Sequence, residues 1–87
     1  MFFITAQNEI GGDEKKGWCL DSKGRDQNRG QRKIAKRISK EDCWRKCQTE
    51  RATGCEWNGD RSTCYRHTGD VASGGGASYF RCLVLKK

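Results

Sequence analysis

Six cysteines constrain this chain more than any other feature of its sequence, because little else in it can hold a fold together. Leu, Ile, Val and Phe supply only 12 of the 87 residues, and 33% of all residues are charged. A highly charged chain with less than about 20% of these apolar residues is typical of disordered proteins. Three disulfides would lower the entropy of the unfolded chain and offset the small core. The sequence therefore predicts one small disulfide-rich domain without a large buried catalytic core.

The cysteine count also predicts the compartment. An even number of cysteines in so short a chain is typical of secreted, extracellular or cell-surface proteins. No apolar run approaches the roughly 18 residues of a membrane span, so we expect none. Residues 1–6 have no basic start and few apolar residues, unlike a signal peptide. We interpret the chain as a mature or excised domain with an added start Met, and as one module of a longer chain.

Composition divides the chain into three parts. Residues 1–16 form a leader with an apolar start and are a candidate for an added edge strand. Residues 17–85 form the disulfide-stapled module, and residues 86–87 are a basic tail. Within the module we expect a strand at 17–20, a solvated loop at 22–32, a segment at 33–38 that is ambiguous between strand and helix, a hairpin with strands near 55–58 and 62–65, a flexible Gly-rich loop at 68–78 and a strand at 79–85.

One α-helix is predicted over about residues 40–51. Ser39, with an acidic residue three positions later, fits the pattern of a capping box at the helix N-terminus. Gly54 suits a left-handed turn after the C-terminus. Cys43 and Cys47 are four positions apart and therefore leave the helix from one face. That face must contact the rest of the domain.

The six cysteines allow fifteen pairings. Two side chains that leave one helix face in parallel cannot join each other without distortion, so each helical cysteine should bond to a strand. A nested arrangement satisfies this condition, with a Cys55–Cys64 bridge across the hairpin as the competing choice. The nested pairs are Cys47–Cys55, Cys43–Cys64 and Cys19–Cys82.

The pattern resembles the PAN/apple family over residues 17–85. The likeness rests on an early cysteine, a helix with Cys43-Trp44-Arg45-Lys46-Cys47, a hairpin with cysteines at Gly54-Cys55-Glu56 and Thr63-Cys64-Tyr65, and a terminal strand with Cys82. The resemblance implies an α+β fold in which one helix packs on a curved antiparallel β-sheet. It also implies an extracellular module that binds proteins or carbohydrates, often in adhesion. The polar, basic segment 22–36 departs from the family pattern.

Basic residues are concentrated in one segment, residues 23–46. It holds ten basic and three acidic side chains, a surplus that equals the net charge of +7 of the whole chain. Clustered Arg and Lys donate to sulfate, carboxylate or phosphate groups. We expect the basic loop, residues 23–40, to bind an extracellular acidic protein or an acidic or sulfated polysaccharide; the alternative is that its charge only keeps the module soluble. The candidate binding residues are Arg25, Arg29, Arg32, Lys33, Lys36, Arg37 and Lys40.

Other chemistries have less support in the sequence. A zinc site built from the other four cysteines would lack the usual Cys-x-x-Cys pair, and Cys19 and Cys82 would not be among its ligands. Fully paired cysteines leave no thiolate nucleophile, and His67, which has no evident acidic partner, reads as an ordinary strand-end residue. We therefore expect no enzyme activity, metal or cofactor. The compartment argues against nucleic acid.

Two alternatives remain for the aromatic residues and for the overall role. Trp18, Trp44 and Trp57 could stack on sugar rings, but in a chain with few aliphatic residues we expect them to form the core.

A freestanding cationic effector, either a host-defence peptide or a protease inhibitor, is the alternative to a recognition module. The predicted helix contains Glu41 and Asp42 and has no cationic amphipathic face, which argues against that alternative.

Overall fold

Seven strands and one α-helix make up the part of the chain described here, residues 11–26 and 30–85 of a computed structural model. The leader's apolar start, Arg29 and the basic tail lie outside these residues. The described residues form a small disulfide-rich α+β domain. The elements are β1 (Gly12–Lys16), β2 (Trp18–Leu20), β3 (Arg32–Ala35), α1 (Lys40–Gln48), β4 (Gly54–Asn58), β5 (Thr63–His67), β6 (Ser73–Gly75) and β7 (Phe80–Leu85).

Five strands form one antiparallel sheet in the order β1-β7-β4-β5-β3, and β2 pairs with β6 in a separate two-stranded ribbon. The segment 33–38, ambiguous in sequence, begins as the edge strand β3, and its register shifts between Lys33 and Ala35. Such a register shift and a charged edge strand both discourage pairing with another chain. Gly12–Lys16 of the leader forms the opposite edge of the sheet.

The helix begins where the sequence predicts. The Ser39 hydroxyl accepts a hydrogen bond from the Asp42 backbone N–H at 3.1 Å, and Glu41 and Asp42 lie in the positive first turn. The helix ends three residues earlier than predicted, at Gln48. Thr49 caps it, and Arg51 rather than Gly54 takes the left-handed conformation, with φ of 58°. Gly54 instead begins β4, because a disulfide between Cys47 and Cys55 makes the chain turn back quickly.

The three disulfides join the same pairs as the nested arrangement. Cys43–Cys64 and Cys47–Cys55 fasten the helix to one face of the sheet. Cys19–Cys82 fastens the β2–β6 ribbon to β7. Successive residues of a strand point to opposite faces, and the side chain of Leu83 lies in the core on the helix side. The neighbouring Cys82 therefore points to the other face, and the ribbon lies there. The sheet is thus the middle layer of three. No helix within the described ranges is long and apolar enough to cross a membrane.

The Gly-rich segment 68–78 is only partly a loop. Three of its residues, Ser73–Gly75, form β6 and pair with β2. A Cβ atom on Gly76 would lie 2.3 Å from the ring of Trp18, and that glycine has φ of +84°. The prediction of a flexible loop was wrong here because the small residues serve close packing of the ribbon.

Glu14 on β1 joins the sheet edge to the helix. Its carboxylate accepts from Lys40 Nζ at 2.8 Å and from Trp44 Nε1 at 3.2 Å. Trp44 is 2% exposed, so its indole N–H obtains a partner inside the domain. Burial raises the pKa of the Glu14 carboxyl, but the hydrogen bonds from Lys40 and Trp44 and the charges of Lys40 and Arg81 outweigh it and keep that pKa below its ordinary value.

We predict that the disulfides stabilise the fold in the order of the loops they close. The Cys19–Cys82 bridge spans 63 residues and the Cys47–Cys55 bridge spans 8. Replacing the first pair by Ala should lower the free energy of unfolding by about 4 kcal/mol, against about 2.5 kcal/mol for the second. Guanidinium unfolding of the two double variants measures the difference. Equal losses, or the reverse order, would contradict the prediction.

Glu14→Gln should weaken the domain at neutral pH but not in acid. The lowered pKa means that the carboxylate stabilises the fold above its ordinary pKa of about 4.3, and that this contribution disappears as the pH falls through the lowered value. We expect a loss of about 1 kcal/mol at pH 7 that vanishes near pH 2, measured by denaturant unfolding. Glu50→Gln, an exposed change outside the helix, is the matched control and should have no such pH-dependent effect.

Candidate functional site

A basic groove of about 460 Å³ lies where β3 and the β4–β5 hairpin meet. Three of the predicted binding residues, Lys33, Lys36 and Arg37, line one side of it. Arg61, from the turn between β4 and β5, supplies a fourth cation. The three remaining lining residues are uncharged and form the floor: Asn58, Thr63 and Tyr65.

Strand register explains why the three floor residues lie together. Thr63 is paired with Asn58 across the hairpin, and Tyr65 is paired with Lys33 on β3. Residues directly opposite each other in a sheet share a face, and so do residues two apart on one strand. The intervening Cys64 is bonded to the helix, so the floor lies on the face away from the helix.

The wall that carries Arg37 and Arg61 has a constrained backbone. Arg37 and Ser62 are both in the left-handed region, with φ of 54° and 50°. The Ile38 N–H donates to the Ser62 carbonyl at 3.0 Å, and the Ile38 carbonyl accepts from Trp57 Nε1 at 2.9 Å. Such conformations persist only where the surrounding contacts fix them. The two arginines are therefore presented from a fixed corner of the domain.

The groove cations have no acidic partner among the described residues. All four side chains are exposed, none is in an ion pair there, and no described acidic residue lines the groove. The side chains of four cations around one groove offer many N–H donors and can bind sulfate, carboxylate or phosphate groups. They are Lys33, Lys36, Arg37 and Arg61.

The other predicted binding residues lie elsewhere. Arg25 contacts Asp21 at 3.3 Å, and a backbone hydrogen bond from Arg25, aided by one from Lys23 and by the Arg25 charge, lowers the pKa of Asp21. Lys40 contacts Glu14 at 2.8 Å. Arg32 is exposed on β3 but does not line the groove, and Arg29 is outside the described residues. The structure thus brings together only part of the basic loop.

Sequence reasoning missed Arg61 and the groove floor. The Asn58-Gly59-Asp60 turn signalled that the chain reverses at this point, and the Asn58 side chain accepts from the Asp60 N–H at 3.0 Å. A turn signal does not say which other segment the hairpin approaches. That depends on the pairing of β3 with β5, which joins residues about thirty positions apart.

His67 is not the ordinary strand-end residue that the sequence suggested. It is fully buried at the end of β5, and its Nε2 lies 3.1 Å from Glu56 Oε1. The same carboxylate accepts from the Cys19 N–H at 2.9 Å and from Gln31 Nε2 at 3.3 Å. Since the carboxylate oxygens accept, His67 Nε2 is the donor; its Nδ1 has no hydrogen-bond partner among the described residues. The acidic partner escaped prediction because it lies on another strand.

This buried cluster does not amount to a metal site. Ligand atoms of Cys19, Glu56 and His67 lie within 4.8 Å of one another. The Cys19 sulfur is bonded to Cys82, however, and a disulfide sulfur cannot act as the thiolate ligand that zinc requires. Two ligands remain, and both already bond to each other. The geometry supports a structural role that joins β2, β4 and β5.

Two further grooves lie on the surface of the described residues, but neither gathers basic side chains that lack an acidic neighbour. One of about 500 Å³ lies beside the helix N-terminus and includes Trp57 and the 52%-exposed Tyr79. Its cations, Lys40 and Arg81, lie near Glu14. The other, of about 430 Å³, is lined by six residues, none of them basic. The groove at β3 and β5 is therefore the candidate functional site.

Comparisons with protein-family models, with curated proteins and with solved structures found no significant match to this chain.

Glu56→Ala should destabilise the domain strongly. It would remove the acceptor for two buried donors, the Cys19 N–H and His67 Nε2, and for Gln31. We expect the free energy of unfolding to fall by about 3 kcal/mol or more, measured by denaturant unfolding. Glu50→Ala, the same change at an exposed position, should alter it by less than about 0.5 kcal/mol. Similar effects of the two changes would show that Glu56 does not hold the layers together.

Proposed function

We propose that this chain is a non-catalytic extracellular module for recognition or adhesion, and that it binds an anionic ligand through the basic groove. One observation carries the proposal: four cations surround a single groove and have no acidic partner among the described residues. Keeping like charges close together without partners costs free energy, which a bound anion would recover. A loop that only solubilises the domain would gain nothing from gathering them.

The setting supports an extracellular anion as the ligand. Three disulfides and no free cysteine among the described residues are consistent with an oxidising, secreted environment. Acidic proteins and acidic or sulfated polysaccharides are the anionic polymers expected there, whereas nucleic acid is mainly an intracellular partner. Arginine forks match sulfate and carboxylate groups bidentately, and lysines add point charges.

The family resemblance supports the same type of module. A helix fastened by two disulfides to a hairpin, with a third disulfide near the ends of the unit, is the arrangement that a PAN/apple-like domain would have. Such domains serve recognition and adhesion, often within longer chains. The basic segment is where this chain departs from the family pattern, and its groove is the surface that we assign to the ligand.

Removing groove charge should weaken binding to anionic polymers. We predict that Lys33→Ala, Lys36→Ala and Arg61→Ala together lower affinity for heparin by at least about tenfold, because each removes a charge-assisted contact. Isothermal titration at low and high salt measures affinity and its salt dependence, and the slope against salt should be shallower in the variant.

The control removes equal charge from other parts of the surface. Lys16→Ala, Lys23→Ala and Arg51→Ala together also delete two lysines and one arginine, all exposed and none in the groove. This triple variant should bind almost as well as the original. Equal loss in both variants would mean that only net charge matters and that the groove is not a site. Membrane leakage or protease inhibition by the domain would instead favour a cationic effector.

A further inference from the structure

The floor of the basic groove carries information about the ligand beyond its charge. Asn58 and Thr63 are 8% and 6% exposed, and Tyr65 is half-buried between Lys33 and Glu56 in the sheet. An acidic peptide or a polyphosphate chain needs only the cationic rim. A floor with one aromatic ring and two uncharged polar side chains fits a ligand that also has hydroxyl groups and an apolar ring face.

Two of the polar side chains of the floor are held in place by hydrogen bonds within the domain, and some polar atoms of the floor remain available for hydrogen bonds to a ligand. Asn58 Oδ1 is engaged by the Asp60 N–H and Thr63 Oγ1 donates to the Arg61 carbonyl, so both side chains are held in place. Among the described residues, the Asn58 amide nitrogen and the Tyr65 hydroxyl make no hydrogen bond. The Asn58 amide can donate to a ligand hydroxyl, and Thr63 Oγ1 can accept from one.

The dimensions also favour a compact ligand. Thr63 and Tyr65 are two residues apart on β5, so their Cα atoms are about 7 Å apart. The groove volume of about 460 Å³ is at the small end of the range for ligand pockets, roughly 300–1,000 Å³. The braced conformations of Arg37 and Ser62 keep one wall in position, which reduces the cost of ordering it around a ligand.

We propose that the groove recognises one anionic sugar unit of an acidic polysaccharide. The sugar ring lies over Tyr65, its hydroxyls contact Asn58 and Thr63, and its sulfate or carboxylate lies among Lys33, Lys36, Arg37 and Arg61. This inference rests on the proposed function and names the ligand class for the same groove. Stacking on Tyr65 distinguishes it from binding that depends on charge alone.

The test compares sugar and non-sugar anions on variants of Tyr65. Tyr65→Leu keeps apolar bulk but removes the ring, and Tyr65→Phe keeps the ring. For a sulfated heparin tetrasaccharide, we expect Tyr65→Leu to lose about tenfold in affinity and Tyr65→Phe to stay within about threefold of the original. For polyglutamate, both variants should bind like the original. A tetragalacturonate, which has carboxylates but no sulfate, shows which anionic group the site prefers.

A second measurement uses the unmodified protein and does not depend on a variant that folds. In NMR titrations, ring C–H protons of the bound tetrasaccharide should shift upfield, because they would lie over the face of an aromatic ring. Absence of that shift, or equal losses for tetrasaccharide and polyglutamate in Tyr65→Leu, would overturn the sugar assignment while the anion-binding function stands. If the Lys33, Lys36 and Arg61 variant binds every anion like the original, the proposed function itself fails.

Discussion

Sulfur takes the place of a hydrocarbon core in this domain. Among the described residues, the buried hydrophobic positions are the six cysteines, Trp44 and Leu83. The disulfides therefore have two effects. They lower the conformational entropy of the unfolded chain, and they fill the space between the layers of the folded domain. Because two of them lie on the helix side of the sheet and one on the ribbon side, both faces of the sheet are covered with very few aliphatic residues.

Glu56 adds a polar counterpart to the disulfides on the ribbon side. Its carboxylate joins β2 through the Cys19 N–H and β5 through His67, and it also holds Gln31, which directly precedes β3. A buried carboxylate is tolerated only when its oxygens are well satisfied. The same residue thus links the buried layer to the start of β3, the strand that carries Lys33 of the groove, so this side of the site is anchored to a constrained part of the fold.

The sequence predicts local features well and the site only in part. The helix start follows from the Ser39 cap, the hairpin from Asn58-Gly59-Asp60, and the bonding of each helical cysteine to a strand from side-chain direction. Each depends on neighbouring residues or on simple geometry. The Glu56–His67 pair, the ribbon strand β6 and the meeting of Arg61 with Lys36 depend on register between distant segments. Composition and turn chemistry do not encode register, which is set by packing.

The position of the acidic residues is as informative as that of the basic ones. Outside the groove, several cations lie beside acids: Arg25 beside Asp21, Lys40 beside Glu14 and Arg45 beside Asp42. Glu56 is used inside the domain. At the groove, by contrast, four cations lie together without an acidic partner among the described residues, which is a local excess of positive charge. Salt screens exposed charges beyond about 8 Å at physiological ionic strength, so this local excess, more than the net charge, orients an approaching anion.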